Sequence, residues 1–128
     1  MEAIVMCDTN ILIELYRNNP DIRAELMRIG QAHLALSAIS AGELIFGARN
    51  KNELQRIVAD LASIQVFSLD AIITEHALDL MKSFSLSHRL SLPDALIAST
   101  AIVRDFPLYT LNTKDFRYLP RLRLWQGQ

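Results

Sequence analysis

The chain has 128 residues, of which 51% are hydrophobic and 21% charged, with a net charge of −1 and a single cysteine. This composition excludes extensive disorder, an internal disulfide and a cysteine-based zinc site, and it predicts one domain over residues 1–128. No apolar run approaches the ~18 residues of a membrane span and no basic segment precedes the first apolar run, so we expect no membrane anchor, no signal peptide and a cytoplasmic location.

The predicted elements alternate between strands and helices. In chain order they are a strand over 3–7, helices over 8–18 and 20–28, a strand over 33–38, helices over 40–47 and 50–63, a strand over 66–69, a helix from 70, a helix from 93 to about 105, and strands over 108–111 and 122–125. The helix that Asp70 caps has one apolar face, formed by Ile72, Ile73, Ala77, Leu80 and Met81. Such alternation predicts an α/β sandwich around a mostly parallel sheet of about five strands.

Four acidic residues stand in short apolar segments, each at a predicted strand end or helix start. They are Asp8 in IVMCDTNILIEL, Glu43 in SAISAGELIFG, Asp94 in LSLPDALIAST and Asp115 in LYTLNTKDF. Sites in parallel α/β sheets form outside the carboxyl ends of the strands, so a common edge is expected for all four. Because a dense carboxylate cluster needs neutralising cations and hard cations prefer oxygen ligands, the pattern predicts a Mg²⁺ or Mn²⁺ site.

Each carboxylate taken alone also has a purely structural interpretation. Asp8-Thr9-Asn10 suits a helix N-cap, and Ser40 to Glu43 matches the capping box S-x-x-E. Asp94 after a proline can stabilise a helix dipole, and Asp115 can cap a following turn. The prediction of a site therefore rests on the joint occurrence of the four residues in apolar surroundings.

The joint pattern resembles a known family. DTNILIEL, the glutamate in SAISAGELIFGAR, LPDALIASTAI and YTLNTKDF are similar, in this order, to the motifs of the PIN domain, and most similar to its VapC-like branch. The resemblance implies a three-layer α/β/α fold and a Mg²⁺- or Mn²⁺-dependent endoribonuclease. It implies that Asp8, Asp94 and Asp115 bind metal and that Glu43 binds it directly or through water. It also assigns supporting polar positions to Thr9, Asn10, Thr110 and Asn112, and an asparagine instead of an acid at 112 implies a weaker second metal site.

The VapC-like resemblance also implies partners. Members of this branch are toxins of toxin–antitoxin pairs, form homodimers and are silenced by a small VapB-like antitoxin that runs along the active-site groove. The apolar helices near 12–15 and 44–46 can form such a groove or can belong entirely to the core. An RNA substrate and an antitoxin are thus the expected partners, with no membrane.

Two other classes of function remain open from the residues. An inert PIN-like binding module would keep the fold without cleavage. An aspartyl-phosphate enzyme would place Asp8 after the first strand, with Thr110 and Lys114 at phosphate, but Asn10 stands where the second acid of that motif is expected.

The remaining candidates are weaker. His33, His76 and His88 lack metal-ligand spacing, and Cys7 is predicted to be a core residue. The segment 112–128 carries four basic side chains against Asp115 alone, which suits either a solvated tail or a phosphate-contacting patch.

Overall fold

The computed structural model describes residues 4–126, and strands alternate with helices through most of this range. The main elements are β1 (Val5–Cys7), α1 (Thr9–Tyr16), α2 (Pro20–Ile29), β2 (Leu34–Ser37), α3 (Ala38–Phe46), α4 (Lys51–Ser63), β3 (Gln65–Phe67), α5 (Ala71–His88), α6 (Leu92–Arg104) and β4 (Leu108–Tyr109). Short 3-10 helices lie over Gln31–His33 and Thr113–Asp115. Ala3, the predicted start of the first strand, lies outside the described residues.

The four strands form one parallel sheet in the order β3-β2-β1-β4. The chain moves from β1 outward through β2 to β3 and then returns to the other side of β1 as β4. The direction of winding therefore reverses between β1 and β4. This is the position at which open parallel sheets leave a crevice for ligands, outside the carboxyl ends of the strands.

The predicted fifth strand over 122–125 is reduced to a single bridge. Leu124 pairs in parallel with Leu108, and Leu108 exchanges backbone hydrogen bonds of 2.8 Å with Arg123 and Trp125. A longer ladder cannot form because β4 itself is only two residues long. The prediction of about five strands is thus one too many, while the predicted parallel sheet is confirmed.

Side chains that alternate along the strands divide the core into two clusters. Met6 and Ala35 face α5 and α6, whereas Cys7, Leu34 and Leu36 face α1, α2 and α4. Strands with apolar side chains on both faces need helices on both sides, which is the three-layer α/β/α arrangement expected from the sequence.

Local capping signals begin most helices where the sequence predicts them. Asn19 caps α2 with Pro20 at its first position, and Asp70 caps α5 by accepting a 2.8 Å hydrogen bond from the Ile73 N–H. The predicted apolar face of α5 is correct in part. Ile73 is buried, but Ile72 is 66% exposed and points away from the core.

The predicted start of the third helix is wrong. α3 begins at Ala38, and its N-cap is Ser37, whose hydroxyl accepts a 3.0 Å hydrogen bond from the Ile39 N–H. Ser40 and Glu43 therefore lie inside the helix and form no capping box. The strand β2 runs directly into the helix without a loop, which moves the cap three residues toward the N-terminus.

Among residues 4–126, no helix is long and apolar enough to cross a membrane.

Candidate functional site

Asp8 lies at the reversal point of the sheet, immediately after β1. Its Oδ1 caps α1 by accepting a 2.8 Å hydrogen bond from the Thr9 N–H. Its Oδ2 accepts a 2.8 Å hydrogen bond from the hydroxyl of Thr110, which directly follows β4. Both carboxylate oxygens are therefore oriented by donors, and the residue is only 7% exposed. Capping and a place in the site are compatible roles for this residue.

Thr110 connects the two sides of the reversal point. Besides donating to Asp8, its hydroxyl oxygen accepts a 3.0 Å hydrogen bond from the backbone N–H of Asn112. Asn10 accepts a 3.4 Å hydrogen bond from the backbone N–H of Leu111. The loop after β4 is thus attached to the start of α1. The side chain of Asn112 is exposed, and it is the backbone of this residue that takes part in the network.

Glu43 reaches the site from α3. Its Oε1 accepts a short 2.6 Å hydrogen bond from the hydroxyl of Thr9. The hydroxyl oxygens of Thr9 and Ser40 lie 2.9 Å apart, and Ser40 is fully buried. The sequence pattern predicts that Ser40 caps the helix. In the structure, its hydroxyl instead contacts the hydroxyl of Thr9, which bonds to the carboxylate of Glu43.

Asp94 lies in the first turn of α6, where Ser91 caps the helix and accepts a 3.3 Å hydrogen bond from the Asp94 N–H. Burial and then the negative charges of Asp8, Asp115 and Glu43, in that order of importance, together raise the pKa of Asp94 to about 6. The other three carboxylates therefore lie within electrostatic reach of Asp94. Like charges this close disfavour simultaneous ionisation unless a cation joins them.

The pKa of Asp8 responds to the same neighbours. Burial raises it most strongly, the hydrogen bonds from Thr110 and Thr9 lower it, and the charges of Glu43 and Asp115 raise it. The net direction is upward from the ordinary aspartate value.

Asp115 enters the site from the end of the 3-10 helix that follows β4. Its own side chain is exposed, but the next residue, Phe116, is 1% exposed and anchors the helix in the core. The Asp115 N–H donates a 3.0 Å hydrogen bond to the carbonyl of Asn112. Asp115 is therefore inside this turn and does not cap a turn that follows it.

The carboxylate oxygens of the site suit a hard cation that also keeps some of its water ligands. Within residues 4–126, no three His, Cys, Asp or Glu side chains are arranged closely enough to enclose a metal ion by themselves. Mg²⁺ does not require such a cage, because it keeps several waters and is usually bound by one or two carboxylates together with phosphate oxygens. Oxygen donors from Asp8, Asp94 and Asp115 around a partly dry crevice suit this mode of binding.

Other reactive groups do not compete with this site. Cys7 is 1% exposed, and burial followed by the charge of Asp8 raises the pKa of its thiol to about 12, so it is a core residue as predicted. Nδ1 of His76 lies 2.9 Å from the Ser99 hydroxyl and Nε2 lies 3.2 Å from Arg121, which ties the C-terminal segment to α5 and α6.

Comparisons with known proteins agree with the sequence resemblance. A PIN domain family model matches residues 5–122. Ribonuclease VapC10 of Mycobacterium tuberculosis is 35% identical over 124 residues, covering 94% of this chain and 91% of that protein. The tRNA(fMet)-specific endonuclease VapC of Shigella flexneri is 29% identical over 123 residues, covering 92% and 93%. A toxin–antitoxin complex from Klebsiella pneumoniae contains a chain with a TM-score of 0.81 and 29% identity, covering 97% of this chain and 98% of that one.

Proposed function

Because this chain belongs to the PIN domain family, in its VapC-type branch, we propose that it is a Mg²⁺- or Mn²⁺-dependent endoribonuclease and the toxin of a VapBC-type toxin–antitoxin pair. The observation that carries the proposal is the electrostatic coupling of Asp8, Glu43, Asp94 and Asp115 at the reversal point of the sheet. The curated relatives named above are ribonucleases, which supports RNA as the substrate. The function implies action in the cytoplasm.

The carboxylates have distinct roles in this proposal. Asp8, Asp94 and Asp115 would hold the cation, which when bound neutralises their charge and supplies Lewis-acid chemistry at a phosphodiester. Thr110 and the Thr9 N–H keep both oxygens of Asp8 in fixed orientation. Substrate positioning at this crevice requires such fixed groups, because small displacements of oriented groups lower the rate strongly.

Glu43 differs from the other three in accepting a hydrogen bond from the Thr9 hydroxyl. Its Oε1 is occupied by the Thr9 hydroxyl, so Oε2 is left to accept a hydrogen bond from the attacking water. Attack of that water on phosphorus would form one P–O bond and break the P–O bond to the leaving nucleotide, with the proton of the water passing to Glu43 and a solvent proton to the leaving oxygen. The raised pKa of Asp94 is the feature that a bound cation would reverse, since positive charge favours the ionised carboxylate.

The nuclease assay tests the proposal directly. Purified protein should cleave RNA when Mg²⁺ or Mn²⁺ is present and stop when a chelator is added. Asp8→Asn and Asp94→Asn should each lower kcat by at least about 100-fold, the usual consequence of removing one electrostatic group at a reacting phosphate or acyl centre. Asp79→Asn, an exposed carboxylate on α5, is the matched control and should retain activity.

Circular dichroism should show that both site variants are folded. Full activity in both would contradict the proposed site. A folded wild-type chain that binds RNA without cutting it would instead support the inert binding module.

The proposed partner is a small VapB-like antitoxin, and a cleft beside the site suits it. The cleft has a volume of about 350 Å³ and lies between α1, α3 and α4, with Glu43 at its edge. Of the apolar residues predicted to form a groove, Leu12 and Leu44 are core residues, whereas Ile13, Ile45 and Phe46 are exposed. An apolar antitoxin segment would cover these side chains and bring a cation to the carboxylates. We also propose that the toxin is a homodimer, as the family resemblance implies.

A further inference from the structure

Two aromatic rings are stacked where α5 ends. The rings of His88, the last residue of α5, and Tyr118 have centroids 3.9 Å apart and an interplanar angle of 13°. Phe84 contacts both rings edge-on, at 5.8 and 5.2 Å between centroids. Nδ1 of His88 lies 2.8 Å from the Ser87 hydroxyl, which fixes the ring further. One face of His88 covers Tyr118, and the residue as a whole is exposed, so part of its ring is accessible to solvent.

The stack lies beside the proposed catalytic carboxylates. Only three residues, 89–91, separate α5 from α6, so the end of α5 is held next to the start of α6 and to Asp94. Tyr118 follows Asp115 by three residues in the turn after the 3-10 helix. The charges of Asp94 and Asp115, after burial, raise the pKa of the Tyr118 hydroxyl, which is the electrostatic sign of the same proximity.

Among the described residues, three cations without a partner lie close in the sequence to the stacked rings or to Asp115. Arg121 bonds to His76 and Arg123 bonds to Asp105, so these two basic residues of the C-terminal segment are held in the structure. Three exposed cations nearer the stack differ from them. They form no side-chain ion pair or hydrogen bond within the part of the chain that the structure describes, and they are Arg89, Lys114 and Arg117.

Binding of RNA at this site requires positive charge nearby, which these three cations supply. RNA brings its phosphates toward a cluster of carboxylates that repels them, so affinity must come from positive charge and from base contacts close by. Aromatic rings stack on unpaired bases of any identity, and such platforms are the usual means by which proteins hold single-stranded RNA.

We propose that His88 and Tyr118 form a platform for one unpaired base of the RNA next to the cleaved phosphate, with Arg89, Lys114 and Arg117 contacting the adjoining phosphates. The base stacks on the accessible part of the His88 ring, while Tyr118 and Phe84 support that ring from behind. These residues position substrate and take no part in the chemical step. The proposal rests on the proposed ribonuclease function, to which it adds a subsite for one unpaired base.

A fluorescent oligonucleotide tests the platform without requiring cleavage. The probe is a short oligouridine with one 2-aminopurine, whose fluorescence is quenched when the base stacks on a ring. Wild-type protein in the presence of a chelator, which prevents cleavage of the probe, should quench it, and His88→Ala should weaken the apparent Kd at least about fivefold, since one base–ring contact is worth that much or more. Leu86→Ala is the matched control, because Leu86 lies on the same helical turn, is 99% exposed and has no ring.

Cleavage kinetics give a second readout that a merely structural role would not produce. His88→Ala should raise KM and leave kcat nearly unchanged. Removing the flanking base from the RNA should raise KM for the wild type but cause no further increase for His88→Ala, because the same contact is already lost. Tyr118→Phe keeps the stacked ring and should behave as the wild type.

The free cations are tested by charge-matched substitutions. Arg117→Gln should weaken binding and reduce its dependence on salt, whereas Arg123→Gln, which removes the same charge from a paired residue, should not. Equal Kd values for His88→Ala and Leu86→Ala would overturn the platform even if the protein cleaves RNA. Quenching that depends on His88 in a protein that never cleaves RNA would support the platform and defeat the proposed nuclease.

Discussion

Asp8 illustrates how a single residue supports both the fold and the site. One oxygen of its carboxylate begins α1, and the other accepts the Thr110 hydroxyl across the reversal point of the sheet. Two hydrogen bonds partly offset the burial of the charge, yet its pKa is still raised. The site is therefore strained electrostatically in the absence of a cation, and this property can be measured as a dependence of stability on pH.

The expected direction of this pH dependence follows from the pKa of Asp94. Its pKa is raised from 3.8 to about 6 in the folded protein, so over this window the folded state binds more protons than the unfolded state. The contribution of Asp94 to the free energy of unfolding should therefore be greatest below the lower value and should fall as pH rises to the upper one. The raised pKa of Asp8 acts in the same direction. Urea denaturation in the presence of a chelator, across this window, measures the effect.

Asp94→Asn should flatten this dependence and leave the metal-free protein more stable than the wild type at neutral pH. Asp79→Asn serves again as the control, with the wild-type fall preserved. A wild-type pH profile that Asp94→Asn leaves unchanged would refute the electrostatic coupling.

At the level of elements, strand ends and helix starts provide the site. β1 leads into α1 at Asp8, and β2 leads into α3 at Ser37 without an intervening loop. The early start of α3 places Glu43 in its second turn, from which its carboxylate reaches the Thr9 hydroxyl of α1. If Ser40 capped the helix, the side chain of Glu43 would bond to the backbone N–H of Ser40 in a capping box. Its carboxylate would then be directed to that N–H and away from the Thr9 hydroxyl.

The position of the cap can be tested by two serine substitutions. Ser37→Ala removes the acceptor for the Ile39 N–H and should lower the free energy of unfolding by about 1 kcal/mol. Ser40→Ala leaves this cap in place and should cost less, because Thr9 keeps its bond to Glu43. Urea denaturation of both variants measures the two losses in the free energy of unfolding. A greater loss from Ser40→Ala would place the cap at Ser40.

At the scale of the whole molecule, the two helical layers have different surfaces. The layer of α1, α3 and α4 contains the cleft at Glu43 and the 93% exposed ring of Phe46. Arg17, Arg49 and Arg56 line the same cleft together with Glu43 and Glu53, so it combines apolar area with charges of both signs. Such a surface suits a partner chain that carries apolar side chains and charges of both signs.

Binding of the proposed antitoxin should therefore depend on Phe46. Phe46→Asp should weaken co-purification with the proposed antitoxin, because a charge would replace a buried ring in the complex. Ile72→Asp changes another exposed apolar side chain, 66% exposed, at the start of α5 and should leave the complex intact. Thermal melts should establish that both variants are folded. Equal co-purification of the two variants would exclude the exposed ring of Phe46 from the docking surface.

The sequence by itself determined which segments form strands and helices and which carboxylates stand at their ends. These features are local. Asp70 and Asn19 indicate the starts of two helices to within a few residues. The apolar stretch after Pro93 indicates a buried helix, and its residues Ala95–Ala101 are all buried. The motifs around Asp8, Glu43, Asp94 and Asp115 were sufficient to identify the family that the comparisons then showed.

The tertiary structure alone decided how these pieces meet. Thr110 lies 102 positions from Asp8 in the chain, and Thr9 lies 34 positions from Glu43, so no local pattern could pair them. The stack of His88 on Tyr118 likewise joins the end of a helix to a turn after the last strand. Periodicity and capping act over one or two turns, whereas strand order and packing set these distant contacts, and only the folded chain specifies them.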